Sequence, residues 1–320
     1  FVDISGHPSL VHRHKAVKKI TRSAEMQAWS TREHRNGRTV GFVPTMGALH
    51  AGHLKLVERA RASSNLVVVS IFINPAQFGL QEDINKYPRD LSRDLALLKK
   101  AKADIVFHPT AKAMYPAGDK TWVEVKGLSD ILCGRARPGH FRGVATVVAK
   151  LFNIVQPDIA FFGEKDLQQQ IIIRRMAADL NFPVKIVAVP IVRDADGLAL
   201  SSRNAYLSKK ERQIALVLYR ALKLARQLVS SGERRPPIII SHLRKLLRLH
   251  GISRIDYIAL VDPQTLLPVK NIRGRVQALA PARSEAVNDR DLKTAPNERV
   301  CEVRTDETGS AGDDYFRHTD

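Results

Sequence analysis

The chain has 320 residues, 44% of them hydrophobic, which is enough for a large α/β domain with its own core and a smaller domain beside it. Its formal net charge is +19, yet the basic residues gather in an N-terminal group (His12, Arg13, His14, Lys15, Lys18, Lys19) and between Lys209 and Arg248, spaced through an apolar helical pattern. The second group reads as a solvated helix face, and with Tyr219 as its stacking ring it argues against a nucleic-acid partner. Cys133 and Cys301 lie too far apart for a disulfide framework or a zinc cluster and fit a reducing cytoplasm; neither a membrane span nor a secretion signal is predicted.

Residues 1–17 are charged and weakly periodic and read as an extension. From Lys18 the pattern is regular: Ser23 is placed to cap a helix through about Glu33, Asn36-Gly37 marks a turn, and Thr39 to Val43 forms a first strand. Pro44 breaks that run, and the chain then meets Gly47, His50, Gly52 and His53 before a helix carrying Leu54, Leu56, Val57 and Ala60. A strand, a glycine-bearing loop and a helix start bring two imidazoles and helix N-terminal N–H groups to one point. That arrangement suits an anionic phosphate chain whose charge must be stabilised as it reacts. Histidines three apart also occur in metal sites and on solvated faces, but here no Cys or Glu flanks them at ligand spacing, and a solvated face has no use for the glycines.

Leu66 to Ile73 is a near-continuous β-branched run, as in a parallel strand buried on both faces, and completes a βαβ unit. Ligands of such sheets lie outside the carboxyl ends of the strands, which is where Asn74-Pro75-Ala76-Gln77-Phe78 emerges. The amides of Asn74 and Gln77 can donate and accept there, although an Asn-Pro turn can also simply end a strand. After Tyr87-Pro88-Arg89, a helix from Leu91 to Lys102 and a strand from Asp104 to His108 continue the alternation, which predicts a doubly wound α/β architecture. Arg135 to Gly143 packs three arginines and His140 among glycines, a loop suited to meeting an anion.

A helix over Thr146 to Phe152 leads to a strand, Ile159 to Phe162, that ends in Gly163-Glu164-Lys165-Asp166. Lys165 is suited to neutralise phosphate, and Asp166 to hold magnesium or position Lys165; an exposed turn with a capping Asp is the plainer alternative. Of Gln168, Gln169 and Gln170, only one or two can face a cleft. Beyond a strand at Val184 to Ile191 and a turn at Arg193 to Gly197, Leu200-Ser201-Ser202-Arg203-Asn204 offers hydroxyls and a guanidinium to a triphosphate.

Taken together, Gly41 to His53, Asn74-Pro75-x-Gln77-Phe78, Tyr87-Pro88-Arg89, Arg137-Pro138-Gly139-His140-Phe141, Gly163 to Asp166 and Ser201 to Asn204 resemble the pantothenate synthetase (pantoate–beta-alanine ligase) family. Order and spacing agree from about Lys18 to about Pro268, and His50-Ala51-Gly52-His53 matches the His-x-Gly-His signature of the nucleotidylyl-transferase superfamily. The resemblance implies a Rossmann-like doubly wound parallel sheet over residues 18–190 and a smaller α+β lid domain over 191–272. It implies an ATP-dependent, AMP-forming ligase: pantoate attacks the α-phosphate of ATP, and β-alanine then displaces AMP from pantoyl adenylate. No enzyme nucleophile is needed, in keeping with the absence of a Ser-His-Asp or Cys-His arrangement.

The same resemblance places Met46, Gly47, Ala48, Leu49, His50, Ala51, Gly52 and His53 around ATP, with His50 and His53 on the phosphates, His53 as proton donor and Lys165 as a third catalytic group. Gly163, Glu164, Lys165, Asp166, Val192, Leu200, Ser201, Ser202 and Arg203 complete the nucleotide site; Gln77 and Gln169 take pantoate, and Gln77 also β-alanine. Asn74, Tyr87, Arg137 and His140 support the substrates or a dimer contact, magnesium rides on the phosphates, and the assembly is a homodimer. The departures are at the ends. Residues 1–17 lie outside the resemblance, and from Arg273 the chain is polar, charged and aperiodic, so 273–320 reads as a tail whose composition favours disorder, in place of the family's last apolar strand. The alternatives are another nucleotidylyl transferase of the superfamily and a non-catalytic binder of nucleotide or RNA.

Overall fold

The chain is described by a computed structural model over residues 17–79, 84–252 and 255–279 and the backbone of 300–303. The expected extension, Val17 apart, and the rest of the expected tail lie outside the described residues. By packing, the chain divides into two compact units: one through Asp194 together with Ala199–Ala205, the other Ala195–Leu198 together with the chain from Tyr206 onward. The boundary therefore differs from a single cut near residue 190, because a short segment carrying Leu200 to Arg203 returns to the first unit.

In the first unit the apolar runs become strands of one sheet: β1 (Lys18–Ile20), β2 (Val40–Thr45), β3 (Leu66–Ile71), β4 (Ile105–Phe107), β5 (Ile159–Gly163) and β6 (Lys185–Val189). Their order is β1-β4-β3-β2-β5-β6 and every pairing is parallel. Val67, Val68 and Val69 are all fully buried, as a strand covered on both faces requires. Around the sheet run α1 (Ser23–Arg35), α2 (Ala51–Ser63), α3 (Leu91–Lys100), the single turns α4 (Ala111–Met114) and α5 (Cys133–Ala136), α6 (His140–Val155) and α7 (Leu167–Asp179). Ser23, expected as a cap, is instead the first helical residue of α1; the capping position is Arg22.

The sheet order reverses at β2, whose neighbours are β3 on one side and β5 on the other. The loops leaving the carboxyl ends of β2 and β5 therefore diverge at a topological switch point, where doubly wound sheets open a crevice. Pro44 does not end β2 as its sequence position suggests, and it pairs in register with Ser70. Val40 directs its carbonyl toward the β5 side, accepting from Asp158 N–H. By the two-residue alternation of a strand, Phe42 and Pro44 face the same way. Pairing with β5 stops at Phe42–Ala160, so the missing proline N–H removes no ladder bond.

The second unit is built on two amphipathic helices, α8 (Lys209–Ser230) and α9 (Pro236–Leu249), and an antiparallel sheet of β7 (Ala259–Val261), β8 (Val276–Leu279) and β9 (Val300–Val303) in that order. Ser208 and Glu211 form a reciprocal capping box that starts α8. Leu218, Leu222, Ile239, Leu243 and Leu247 meet Leu260 and Ala278 in one core. Strands β8 and β9 fall within the stretch that composition marked as a tail. Four-residue strands are too short to register as a period in sequence, and their order comes from partners across the sheet. Among the described residues no helix is long and apolar enough to cross a membrane.

Candidate active site

At the end of β2 the chain is held by its own polar atoms. Thr45 Oγ1 donates to Ser70 O at 2.7 Å and accepts from Gly47 N–H at 3.2 Å. Gly47 and Ala48 both adopt positive φ, +84° and +49°, an unfavourable conformation for alanine that needs an external hold. Asp94, on α3, supplies it: its carboxylate accepts the Ala48 and Leu49 N–H groups, each at 2.8 Å. Burial raises the Asp94 pKa, and the two backbone bonds work against that rise.

Next along the chain, Gly52 N–H donates to Nδ1 of His50 at 3.1 Å, and His50 N–H donates to Nδ1 of His53 at 3.3 Å. With Nδ1 an acceptor in both rings, the proton of each neutral imidazole is on Nε2. The rings lie 4.0 Å apart, tilted by 33°. Burial, joined by the positive charge of Lys165, lowers the His50 pKa to about 4; desolvation, then the neighbouring His50 and Lys165, holds the half-buried His53 well below its ordinary value. Two neutral rings are thus presented as Nε2–H donors. The N–H groups of Gly47, Ala48, Leu49, His50 and Gly52 shape the loop itself.

The other strand ends bring their groups to this loop. After β5, Lys165 Nζ bonds Asp166 Oδ1 at 2.8 Å, within a tight turn over Glu164–Asp166 that follows Gly163. Ser202 Oγ donates to Ala48 O at 2.9 Å, and Leu200 N–H donates to Val192 O at 3.0 Å, which ties the segment from Val192 through Ser201 and Arg203 to the histidine loop. The Arg203 guanidinium stands 5.8 Å from the Tyr87 ring centre. After β3, Asn74 opens a short turn, Pro75–Gln77, and Gln77 Nε2 reaches Met46 Sδ at 3.2 Å. His140 Nδ1 donates to Gln77 O at 2.8 Å while its Nε2 takes an Arg137 N–H at 3.0 Å; burial, then Arg137, pushes the His140 pKa down to about 3. Of the three glutamines on α7, Gln168 is buried and bonds Leu128 O, Ile131 O and Cys133 N–H, Gln170 is buried, and Gln169 is half exposed.

Residues 18–288 match the family model described as Pantoate-beta-alanine ligase. The chain belongs to that family. It is similar to the pantothenate synthetase of Heliobacterium modesticaldum, 56% identical over 258 residues covering 81% of this chain and 92% of the relative. It is similar also to that of Thermotoga petrophila, 52% identical over 81% of this chain and 93% of the relative. Among solved structures, the pantothenate synthetase of Thermus thermophilus superposes with a TM-score of 0.81 at 45% identity, over 90% of this chain and 99% of that one. A pantoate–beta-alanine ligase of Francisella tularensis, solved in complex with beta-gamma ATP and β-alanine, gives a TM-score of 0.73 at 29% identity over 90% and 98%. The reaction class is accordingly that of an ATP-dependent pantoate–beta-alanine ligase of pantothenate biosynthesis, on a Rossmann-like fold.

Two residues in this ligase site escaped the sequence analysis. Asp94 had a visible signal: it lies three residues after Leu91 and four before Leu98, a carboxylate on the apolar stripe of an amphipathic helix, and it is buried there. Tyr115, whose hydroxyl bonds Asn74, had none. Asp94→Asn would keep an oxygen for one loop N–H but turn an NH2 toward the other. A loss of about 1–3 kcal/mol in unfolding free energy is expected, with weaker ATP binding, read by denaturant titration and calorimetry.

The three half-buried histidines also set a pH dependence. His50, His53 and His140 have folded pKa values below the ordinary 6.5, so between that value and the folded ones the unfolded chain binds more protons. Their contribution to stability is complete above about pH 6.5 and declines as pH falls toward about 4. The urea midpoint is expected to be lower at pH 5 than at pH 7.5, and the difference to shrink in His140→Gln.

Proposed function

We propose that this chain joins pantoate to β-alanine through pantoyl adenylate, with the residues named above in definite roles. The observation that carries the reading is the pair of neutral imidazoles whose Nδ1 atoms are tied to backbone, which leaves both Nε2–H groups as preorganised donors beside Lys165. A pantoate carboxylate oxygen attacks the α-phosphorus of ATP, the bond to pyrophosphate breaks, and negative charge grows on the bridging and non-bridging oxygens. His50, His53 and Lys165 stabilise that charge, with His53 donating toward the leaving phosphate. The β-alanine amine then attacks the acyl carbon, AMP leaves with the bonding pair, and the amine proton is lost to solvent. Both steps demand alignment and charge stabilisation, which donors held by backbone supply without reorganising.

Met46 to His53, Gly163 to Asp166, Val192 and Leu200 to Arg203 surround ATP, while Gln77 and Gln169 take pantoate and Gln77 reaches β-alanine. Beta-gamma ATP and β-alanine are the ligands of the Francisella tularensis structure, which supports ATP and β-alanine for this chain. Magnesium takes oxygen ligands, and ATP phosphates with the half-exposed Asp166 carboxylate are a donor set of that kind. Bound there, it would offset phosphate charge. A homodimer in the cytoplasm completes the reading, supported by the family resemblance.

The deciding assay supplies ATP, magnesium, pantoate and β-alanine and follows AMP and pantothenate. Equal amounts of the two products, formed only with both organic substrates, are expected. A nucleotidyl product that accumulates without AMP would instead favour another transferase chemistry, and ATP binding without turnover a binder.

A further inference from the structure

A glutamine can present either an oxygen or an NH2 group to a ligand, and which one it presents decides what it recognises. At Gln77 the choice is made by Asn74, three residues earlier in the chain. Asn74, 1% exposed, accepts at Oδ1 from Ala76 N–H at 3.2 Å and from the Tyr115 hydroxyl at 2.7 Å. Its Nδ2 donates to Gly143 O at 3.1 Å and to Gln77 Oε1 at 3.0 Å. A backbone N–H only donates and a backbone carbonyl only accepts, so Ala76 and Gly143 together fix which end of the Asn74 amide is oxygen. Since Nδ2 only donates, the Gln77 atom that meets it must be Oε1. The Gln77 NH2 is therefore turned the other way, toward Met46 Sδ at 3.2 Å, a weak acceptor that leaves its hydrogens available to a stronger one.

Tyr115 is well placed to hold this arrangement. It follows α4, its ring lies 4.7 Å from Lys150 Nζ, and burial raises its pKa well above the ordinary phenol value, so the hydroxyl keeps the proton it gives to Asn74. A second hold acts on the Gln77 backbone, whose carbonyl accepts from His140. We propose that Tyr115 and Asn74 form a positioning relay that presents Gln77 to the substrate as a hydrogen-bond donor only, so that this position selects an acceptor oxygen, such as a carboxylate or hydroxyl, and rejects a donor in its place. The proposal rests on the reading of Gln77 as a pantoate residue.

The test compares the full chain with Tyr115→Phe and Gln77→Glu, measuring KM for pantoate and for ATP, inhibition by pantoamide, in which an NH2 replaces a carboxylate oxygen, and thermal unfolding. In Tyr115→Phe, KM for pantoate is expected to rise about five- to tenfold, the scale of one lost neutral hydrogen bond, with KM for ATP and the melting temperature little changed. The preference for pantoate over pantoamide should narrow, because the Gln77 amide can now turn over. Gln77→Glu, which keeps an acceptor for Asn74 and has no donor to offer, should lose pantoate binding while still binding ATP. An unchanged pantoate KM and preference in Tyr115→Phe, or an equal loss for ATP, would overturn the relay. Should the parent chain not use pantoate at all, the proposed function fails, and the relay is judged by the 15N-labelled side-chain amide of Gln77 alone. Slow hydrogen exchange of that amide, accelerated by Tyr115→Phe, supports it; a signal indifferent to the substitution refutes it.

Discussion

Replacing His53 with alanine is expected to slow adenylate formation by about 10²–10³, the range typical of removing one preorganised transition-state donor. Two losses combine in this variant. The Nε2–H donor disappears, and the His50 N–H loses its acceptor at Nδ1 of His53, which frees the neighbouring imidazole to tilt. Folding should suffer far less: the N–H left behind is at a helix start, where about 1 kcal/mol is the usual scale of a lost cap. A single-turnover measurement of pyrophosphate release with saturating ATP and pantoate isolates the step, and unfolding in urea separates the two effects. A His53→Ala enzyme with parental single-turnover rate would remove His53 from the chemistry.

The second large effect is expected from Gly143→Ala. A Cβ there would stand 2.1 Å from Ala76 O, 2.5 Å from Ala76 C and 2.7 Å from Gln77 N. All three are backbone atoms of the turn that carries Gln77, so no flexible side chain can move aside. Either α6 or the Pro75–Gln77 turn must shift, and overpacking of this kind costs about 1–3 kcal/mol or more. The shift also strains the Asn74 bond to Gly143 O, which orients Gln77. Both a lower melting temperature and a pantoate KM raised well beyond that for ATP are expected. Gly274→Ala is the control: it has an ordinary φ and open space around it, so a change within about 0.5 kcal/mol is expected. Equal behaviour of the two variants would show that the close approach of α6 to the turn carries no energetic weight.

Strand ends were legible in the sequence because a parallel sheet buried on both faces demands near-continuous apolar runs. Leu66 to Ile71 and Ile159 to Phe162 announce themselves that way, and whatever follows them emerges at the ligand edge. The histidine loop, Gln77, and Lys165 with Asp166 were legible for that reason. Pro44 misled, because a proline is read as a break unless it is known that the neighbouring strand has already stopped pairing. The strands Val276–Leu279 and Val300–Val303 were hidden by their length and by the polar composition around them.

Through residue types and order, the sequence by itself determined the family, the parallel α/β sheet and the functional groups that end its strands. Only the tertiary structure decided how those groups are oriented. Asp94 is forty-six residues from the Ala48 amide it holds, Tyr115 forty-one from Asn74, and Ser202 well over a hundred from Ala48. Hydrogen bonds of that span leave no local pattern in a sequence, and it is they that hold the Ala48 backbone, tie Ser202 to the histidine loop and brace the Asn74 amide against which Gln77 turns.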